Sequence, residues 1–476
     1  MTDLSTLRSR LEAIGQGHLF RYFDGLTIDQ RVAYLAQLQS LDVDALPGLI
    51  ETYVTHTPAA EVPADLKPVP YYPFNPAARA RAWHRHEAKA RGEALVRAGK
   101  VAAFVVAGGQ GSRLGFDGPK GCFPAGAVTG KTLFQMFAEN LLGAKDRYGA
   151  VVPWYIMTSP LNHDATVAFF KAHAYFGLNA DDVMFFPQGV MPSLDLATGR
   201  VLLASKGEIA TNPDGHGGCV RALHVSGALA DMRRRGIEHL SYFQVDNPHA
   251  RVIDPAFLGL HAGAEDSSGE MSSKMVVKAS PDEKVGVFCL AGGKVRVVEY
   301  SDMPAALTTA RNPDGSLTFN AGSIAIHAIG VEFLERLATD PRFALPFHRA
   351  EKKVPCINPE TGQPVTPTAN NAVKLEKFVF DALALARASI VYETDRLEEF
   401  APIKNATGVD SVETSKVLQT KRAARWLQAC GVDVPMTPAG EPDCVIEISP
   451  RTATSVVELR AAMLPTAVER GSRIAL

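Results

Sequence analysis

Apolar positions recur every three or four residues in the first part of the chain. Two such series are present: Leu4, Leu7, Leu11 and Ile14, and then Val32, Leu35, Leu38 and Leu41. This spacing places apolar side chains on one face of a helix. Thr27 and Gln30 stand where a capping box would begin the second helix. Residues 1–99 are therefore predicted to form an N-terminal helical unit.

From residue 100 the pattern changes to short apolar runs that alternate with longer amphipathic ones. The runs are 101–107, 151–158, 183–186 and 239–245, and a helix over 132–148 is predicted between the first two. Such alternation is typical of parallel strands covered by crossover helices. The later runs, 274–279, 285–290 and 295–300, are separated by turn residues and indicate an antiparallel extension. An α/β domain with a mixed sheet is predicted over residues 100–400.

The end of the chain shows a weaker pattern. A helix is predicted from Lys374 to Arg387, followed by a strand from Ile390 to Glu393. Residues 401–476 have no clear periodicity and are predicted to form a small C-terminal unit.

Composition and charge exclude several classes of partner. The chain has 476 residues, of which 46% are apolar, 49 are basic and 51 are acidic. A net charge of -2 gives no electrostatic basis for binding nucleic acid or an anionic membrane. No apolar run approaches about 18 residues, and the N-terminus mixes charged residues into a helical pattern. A cytoplasmic protein is expected; the oligomeric state is left open.

A glycine-rich loop directly follows the first buried run. Gly108, Gly109 and Gly111 are followed by Arg113, and Lys120 lies a few residues further on. Glycines let backbone N–H groups approach a ligand closely, and the two cations add full positive charge. The alternative is a tight connection between strand and helix without a ligand. Because glycines and cations occur together, the sequence favours phosphate binding.

Two common phosphate-binding motifs do not fit. A dinucleotide fingerprint requires a third glycine where Leu114 stands, and Gly115 comes one residue late. Residues 126–132 resemble a P-loop but are one residue short between the glycines, and no strand immediately precedes them. Lys131 and Thr132 are instead expected to begin a helix.

Taken together, the glycine loop and seven further segments resemble the UDP-sugar pyrophosphorylases, and specifically the UDP-N-acetylglucosamine pyrophosphorylase branch. In order along residues 100–410 the segments are FFPQG (185–189), PDGHGG (213–218), VDN (245–247), VEYS (298–301), FNAG (319–322), KLEKFVFD (374–381) and KNA (404–406). Eight ordered motifs are far more specific than one glycine pattern.

This resemblance implies a Rossmann-like nucleotidyltransferase core that uses UTP, a sugar 1-phosphate and Mg²⁺. It also implies the following roles: backbone contacts to the UTP base and ribose from Gly108, Gly109 and Gly111; uracil recognition by Gln188 and Gly215; triphosphate binding by Arg113, Lys120 and Lys404; Mg²⁺ binding by Asp246; and sugar contacts from His216, Gly286, Glu299 and Asn320. Lys374 and Lys377, which a helix would place on one face, are weaker candidates for phosphate binding.

Several alternatives remain at this point. Asp246 could only cap the turn that Pro248 completes, and Glu299 could be a solvated strand residue. His216 stands in a context similar to UDP-glucose pyrophosphorylases, so N-acetylglucosamine 1-phosphate is ranked first and glucose 1-phosphate second. A broad-specificity enzyme, or a UDP-sugar-binding protein without activity, is the further alternative.

Overall fold

The computed structural model describes residues 3–56, 62–78 and 81–476. The chain divides into two compact units, each assembled from three segments. The first unit takes residues 1–61, 188–219 and 345–379, and the second takes 62–187, 220–344 and 380–476. The division at residues 99 and 400 stays a prediction.

A mixed sheet of ten strands forms the centre of the second unit. The strands are β1 (Lys67–Pro68), β2 (Val101–Val106), β3 (Trp154–Thr158), β4 (Val183–Pro187), β5 (His239–Gln244), β6 (Met271–Val277), β7 (Val287–Ala291), β8 (Lys294–Val298), β9 (Ala321–Gly330) and β10 (Val391–Glu393). The main path runs β1-β7-β9-β5-β2-β3-β4, while β6 pairs with β9 and β10, and β8 pairs with β7. The predicted α/β class with a mixed sheet is confirmed.

The register of the central strands fixes which loops share an edge. Strands β2, β3, β4 and β5 are parallel neighbours, with Val101 opposite His239 and Val106 opposite Gln244. Strand β9 runs antiparallel to β5. The loops after β2 and β5 and the segment before β9 therefore lie along the same edge of the sheet, where ligands bind in open α/β folds.

Helices cover this sheet, and the C-terminal segment adds one long helix. The helices with most of their residues in the second unit are Arg85–Arg97, Leu133–Tyr148, His163–Ala172, Cys219–Val225, Ala228–Arg234, Pro255–Gly263, Ala305–Thr308, Val331–Thr339, Ala382–Leu385, Arg396–Glu399, Val412–Ala429 and Val456–Leu459. Thr132 caps its helix as predicted, because its hydroxyl accepts from the Gln135 N–H at 3.2 Å. In the part of the chain that the structure describes, every helix is too short or too polar to cross a membrane.

The last part of the second unit has its own small core. Strands Val445–Glu447 and Arg473–Ala475 pair in parallel, and Trp426 and Leu427 of the preceding helix pack with Ile446. Burial of these side chains explains how a segment with little visible periodicity nevertheless folds around a core.

The first unit contains the N-terminal helices Leu4–Ala13, Ile28–Ser40 and Leu46–Ile50. The predicted capping box of Thr27 and Gln30 is present. A three-stranded sheet joins His348–Lys352, Ala372–Glu376 and Leu194–Asp195, and the paired segments Val190–Pro192 with Thr211–Pro213, Leu203–Ser205 with Glu208–Ile209, and Cys356–Ile357 with Pro364–Val365 complete the unit.

The prediction of a helix from Lys374 to Arg387 is wrong over its first part. Lys374 lies in a strand opposite Ala350, and Lys377 follows the end of that strand. Val373 and Leu375 are buried on either side of the half-exposed Lys374, which is the alternation of a strand. Pairing with a distant strand overrides the local helical pattern, so the two lysines do not share a helical face.

Candidate functional site

The loop after β2, which we call the first glycine loop (residues 107–121), folds back on itself. The Gly111 N–H donates to the Gly118 carbonyl at 2.9 Å, and the Lys120 N–H donates to the Gly109 carbonyl at 3.1 Å. Arg113 lies exposed on the turn Ser112–Leu114 at the tip of the loop, and Lys120 lies at its base. Two of the cations predicted to bind phosphate thus belong to one compact loop.

The glycines of this loop are required for different reasons. A Cβ atom on Gly111 would stand 2.6 Å from the Phe116 ring, and one on Gly121 would overlap the ring of Phe134. Gly109 differs, since a Cβ there would meet nothing within 4 Å and its φ is not positive. Internal packing does not require glycine at 109, whereas close approach of a ligand to the backbone would.

Asn162 positions the first glycine loop, a role that the sequence did not reveal. Its side-chain amide donates to the carbonyls of Ala107 at 3.0 Å and Gly109 at 3.2 Å. Its oxygen accepts from the Ser159 N–H at 2.8 Å. Asn162 stands before the helix His163–Ala172 but its side chain does not cap that helix. The sequence signal for this role was a polar residue shortly after the end of a predicted strand.

Lys120 and Asp246 meet at the carboxyl ends of the parallel strands β2 and β5. The Lys120 Nζ lies 3.8 Å from an Asp246 carboxylate oxygen, with side-chain exposures of 16% and 17%. The distance is beyond that of a hydrogen bond, so neither group is fully engaged by the other. An amine and a carboxylate that face the same partly open space can both be offered to a bound ligand.

The segment that carries Lys404 is hydrogen-bonded through its backbone to the turn that carries Asp246. The Ile403 N–H donates to the Asp246 carbonyl at 2.8 Å, and the Lys404 N–H donates to the Asp410 carbonyl at 2.7 Å. The Lys404 Nζ lies 3.6 Å from the Asp410 carboxylate and is 40% exposed. The segment that carries Lys404 is therefore fixed beside Asp246, while its side chain stays accessible.

Of the three residues of the second unit predicted to contact sugar, Gly286 and Glu299 lie side by side. Gly286 precedes β7 and Glu299 follows β8, at one end of that antiparallel pair, whereas Asn320 precedes β9 and accepts at its carbonyl from the Lys278 N–H at 2.9 Å. A Cβ atom on Gly286 would stand 3.3 Å from a Glu299 carboxylate oxygen. This end of β9 belongs to the edge that carries Asp246. The structure thus brings Gly286, Glu299 and Asn320 to the predicted edge.

Lys278 is a further cation here that the sequence interpretation did not select. Its N–H donates to the Asn320 carbonyl at 2.9 Å, and its Nζ donates to the Pro281 carbonyl at 3.0 Å. Burial lowers the pKa of its ammonium group, and the nearby carboxylates of Glu283 and Asp282 oppose that shift. Its position at the end of an apolar run was the only sequence signal.

The remaining predicted residues belong to the first unit. Gly215 has a φ of 82°, and a Cβ there would stand 2.4 Å from the Lys377 carbonyl. The Gly217 N–H donates to that carbonyl at 2.7 Å, and the Lys377 N–H donates to the Asp214 carbonyl at 2.8 Å. Gln188 is buried. The turn at 214–218 is thus closed by the backbone around Lys377.

His216 completes this turn as a neutral ring. Its Nδ1 accepts from the Val379 N–H at 3.1 Å, and the ring stacks on Phe378 with centroids 5.1 Å apart. Burial lowers the pKa of His216 to about 4, and repulsion from His348 adds to the shift. An Nδ1 that accepts leaves the proton on Nε2, where it can be donated.

A second glycine loop, residues 126–131, is the segment that resembles a P-loop. The Glu447 carboxylate accepts from the N–H groups of Val128 at 2.8 Å and Thr129 at 2.9 Å, and from the Thr129 hydroxyl at 2.6 Å. A carboxylate of the chain itself occupies the position in which a P-loop would hold phosphate. The following helix begins at Leu133, as expected.

Comparison with known proteins identifies relatives over most of the chain. Residues 72–424 match the UDPGP family, described as UTP–glucose-1-phosphate uridylyltransferase. The UDP-N-acetylhexosamine pyrophosphorylase-like protein 1 of Xenopus tropicalis is 36% identical, covering 93% of this chain and 91% of that protein. The UDP-N-acetylglucosamine pyrophosphorylase of Saccharomyces cerevisiae is 38% identical over 71% of each chain.

A solved structure shares the fold over nearly the whole length. It is the UDP-N-acetylglucosamine pyrophosphorylase of Trypanosoma brucei in complex with an inhibitor, with a TM-score of 0.77 and 26% identity. The match covers 97% of this chain and 94% of that one.

Proposed function

Because the chain belongs to the UDPGP family of uridylyltransferases, we propose that it converts UTP and N-acetylglucosamine 1-phosphate into UDP-N-acetylglucosamine and pyrophosphate. Relatives that carry the name UDP-N-acetylglucosamine pyrophosphorylase or diphosphorylase support this choice of sugar. A cytoplasmic location stays a prediction from the sequence.

One observation carries the assignment of the active site. Lys120 and Asp246 lie 3.8 Å apart at the ends of two parallel strands, beside a Gly109 that faces open space. A cation, a carboxylate and an accessible backbone are what a metal-bound triphosphate requires. We assign the UTP phosphates to this edge, with Gly108, Gly109 and Gly111 against the nucleotide.

The reaction needs charge neutralisation more than proton transfer. The attacking oxygen of the sugar 1-phosphate is already anionic at neutral pH, so in-line attack on the α-phosphorus requires no general base. Arg113, Lys120 and Lys404 would hold the two anionic substrates together and stabilise the added charge of the transition state. Their placement on the first glycine loop and beside Asp246 suits this role.

Asp246 fits a magnesium ion that is shared with the substrate. Mg²⁺ prefers oxygen ligands and keeps several waters, so one carboxylate with phosphate oxygens is sufficient. Among the described residues, no cluster of three or more metal-binding side chains is present, which suits a site completed by the nucleotide. The ion would neutralise phosphate charge when it is bound.

The other residues are assigned by their chemistry. Glu299 beside Gly286 offers a carboxylate for sugar hydroxyls, and Asn320 before β9 offers an amide. In the first unit, Gln188 and Gly215 would read the uracil edge, and His216 would face the sugar. Lys374 and Lys377 are weaker candidates for phosphate; the Lys377 Nζ lies 4.5 Å from the centre of the Phe347 ring.

The test is a substrate panel with purified protein, Mg²⁺ and UTP. Pyrophosphate release is measured with N-acetylglucosamine, N-acetylgalactosamine and glucose 1-phosphates. We expect the highest kcat/KM with N-acetylglucosamine 1-phosphate. A preference for glucose 1-phosphate would replace the proposed substrate with that of the UDP-glucose enzymes, which the context of His216 resembles.

Binding measurements separate an enzyme from a sensor. Tight binding of UDP-N-acetylglucosamine without pyrophosphate release from any of the three sugars would contradict catalysis and favour a non-catalytic UDP-sugar-binding protein.

A further inference from the structure

A cavity of about 250 Å³ lies within the second unit, directly behind the turn that carries Asp246. Its lining includes His249 and Arg251 from that turn, Glu399, Arg422, and the C-terminal residues Thr454 and Val456. The volume is below the roughly 300–1,000 Å³ of sites for drug-sized ligands, which favours a small metabolite.

Some nitrogen atoms of the lining side chains lack a hydrogen-bond partner among the described residues. His249 is only 1% exposed, and neither of its ring nitrogens makes a hydrogen bond of acceptable geometry to the described residues, although the Leu397 backbone lies near. The Arg251 Nε is likewise unpaired among those residues. Burial lowers the pKa of His249, so its ring is neutral and offers one donor and one acceptor. A buried ring that has at most the Leu397 backbone as a partner leaves at least one nitrogen for a ligand in the cavity.

The carboxylates of the lining are already engaged. Lys274 Nζ donates to Asp254 at 2.7 Å and to both oxygens of Glu399 at 2.7 and 2.6 Å. Glu398 accepts from Arg425 and from the Trp426 Nε1 at 2.8 Å. These acids therefore have little capacity left for a cationic ligand.

The contacts of Arg422 differ from those of the carboxylates in the lining. It donates to the Glu398 carbonyl at 3.0 Å and lies 5.0 Å from the centre of the Trp426 ring, but no carboxylate of the described residues forms an ion pair with it. Burial lowers the pKa of its guanidinium to about 10, although the carboxylates of Glu398 and Glu399 lie near enough to oppose that shift. The lining holds three arginines and three acids, so its formal charge is balanced. Because the guanidinium of Arg422 forms no ion pair among the described residues, an oxyanion is the ligand that it fits.

The cavity is connected to the proposed catalytic groups by hydrogen bonds. Asn247, the neighbour of Asp246, donates to the Glu399 carbonyl at 2.7 Å and accepts from the Ala401 N–H at 3.1 Å. The Asp246 carbonyl accepts from the Ile403 N–H at 2.8 Å. A ligand bound by His249 and Arg422 would thus contact the turn that places Asp246 and, through the hydrogen bond from Arg422 to the Glu398 carbonyl, the segment that leads to Lys404.

We propose that this cavity is an effector site for a small molecule bearing a carboxylate or phosphate, held by Arg422 and His249, whose binding changes turnover through the Asp246 turn. The effect on turnover rests on the proposed function, whereas binding does not. Because the site shares no assigned residue with the glycine loop, an effector and the nucleotide should bind together.

Binding is tested by isothermal titration of the full-length protein with inorganic phosphate and with malonate. Each titration is run with and without saturating UDP-N-acetylglucosamine and Mg²⁺, and again with Lys120→Ala. We expect at least one probe to bind under all three conditions, and Arg422→Gln to weaken it about tenfold or more. The matched control is Lys421→Gln, on the same helix but paired with the exposed Glu441, which should bind as wild type does.

A second variant, in which a larger side chain fills the cavity, is used in case Arg422→Gln does not fold. Val457 lines the cavity yet is 65% exposed, so Val457→Trp can fill the space with little disturbance of the core. It should abolish binding and leave the melting temperature nearly unchanged. Absence of binding by both probes, binding unaffected by Arg422→Gln and Val457→Trp, or binding lost in Lys120→Ala or on addition of the UDP-sugar would overturn the proposal.

Turnover is measured at saturating substrates with the probe that binds. We expect a change in kcat for the wild type and none for Arg422→Gln. Binding that leaves kcat unchanged would overturn the link to Asp246 while the site itself stands. Absence of any pyrophosphate release would instead refute the proposed function.

Discussion

The two glycine loops of the second unit look alike in sequence and differ in what fills them. A Cβ atom on Gly126 in the second loop would stand 2.9 Å from a Glu447 carboxylate oxygen. The same atom on Gly109 in the first loop would meet nothing within 4 Å. In one loop the chain supplies its own anion, whereas in the other the space beside the backbone is open.

The difference shows that a glycine motif alone does not define a phosphate site. Backbone N–H groups that converge will bind an anion, and a carboxylate brought from 319 residues away satisfies them in the second loop. Lys131 in that loop is likewise paired, with its Nζ 2.9 Å from Glu139. Among the residues that the structure describes, the ion-pair partner of Lys120 in the first loop is Asp246 at 3.8 Å, beyond hydrogen-bond distance, so this amine can still bind a ligand.

The largest expected effect is a difference in kcat between substitutions of Lys120 in the first glycine loop and Lys131 in the second. Lys120→Ala should lower kcat by about 100-fold or more, because one stabilising charge is lost from the transition state. Lys131→Ala should leave kcat nearly unchanged, since that amine neutralises Glu139. Pyrophosphate release and thermal melting are measured for both. Equal losses of kcat at equal stability would erase the distinction between the loops.

The next largest effect is a loss of stability when Glu447, the carboxylate that fills the second glycine loop, is replaced. Glu447→Gln should lower the free energy of unfolding by about 2–3 kcal/mol, because the charge that serves two N–H groups and a hydroxyl is removed. Glu441→Gln, at an exposed ion pair, should cost less than about 1 kcal/mol. Chemical denaturation measures both, and the KM for UTP should not change. A large rise in that KM would place the nucleotide at the second loop.

A smaller effect is expected from alanine substitutions of Gly109 and Gly126, which should differ in stability and in the KM for UTP. Gly109→Ala should alter stability by less than about 0.5 kcal/mol, since no atom lies in the way. It should raise the KM for UTP by about tenfold, because a methyl group would hold the nucleotide away from the backbone. Gly126→Ala should do the reverse: a loss of about 1–3 kcal/mol in stability and an unchanged KM. Destabilisation by Gly109→Ala would show that its environment is not open.

The last effect, which appears only on acidification, extends the comparison to the turn at 214–218, which is also filled from within the chain. The folded-state pKa of His216 is lowered to about 4, so its contribution to stability is full above about pH 6.5 and is lost as pH falls through 4. His216→Gln cannot take up a proton and should lose less stability over that range. Melting temperatures from pH 7 to pH 4 test this, and curves that stay parallel would show that His216 does not titrate there.

Local signals in the sequence were sufficient for much of the second unit. The capping residue Thr132 and the parallel strands were predicted because caps and buried strands depend on nearby residues. The register of parallel strands then brings Lys120 and Asp246 together at one edge.

Features that depend on distant partners could not be predicted. Asn162 acts on carbonyls more than 50 residues away. The helix Val412–Ala429 buries polar Ser415 and Gln419, whose side chains donate to backbone carbonyls of other segments, and this hides the apolar period. Lys374 lies in a strand because a partner strand pairs with it.

The central claim is that the first glycine loop, Lys120 and Asp246 surround the nucleotide phosphates. Its most direct test is a crystal structure with Mn²⁺ and UTP, in which anomalous scattering locates the metal. We predict a peak within about 2.5 Å of the Asp246 carboxylate, with the triphosphate against residues 108–113 and Lys120. A peak bound away from Asp246, with the phosphates at residues 126–131, would contradict it.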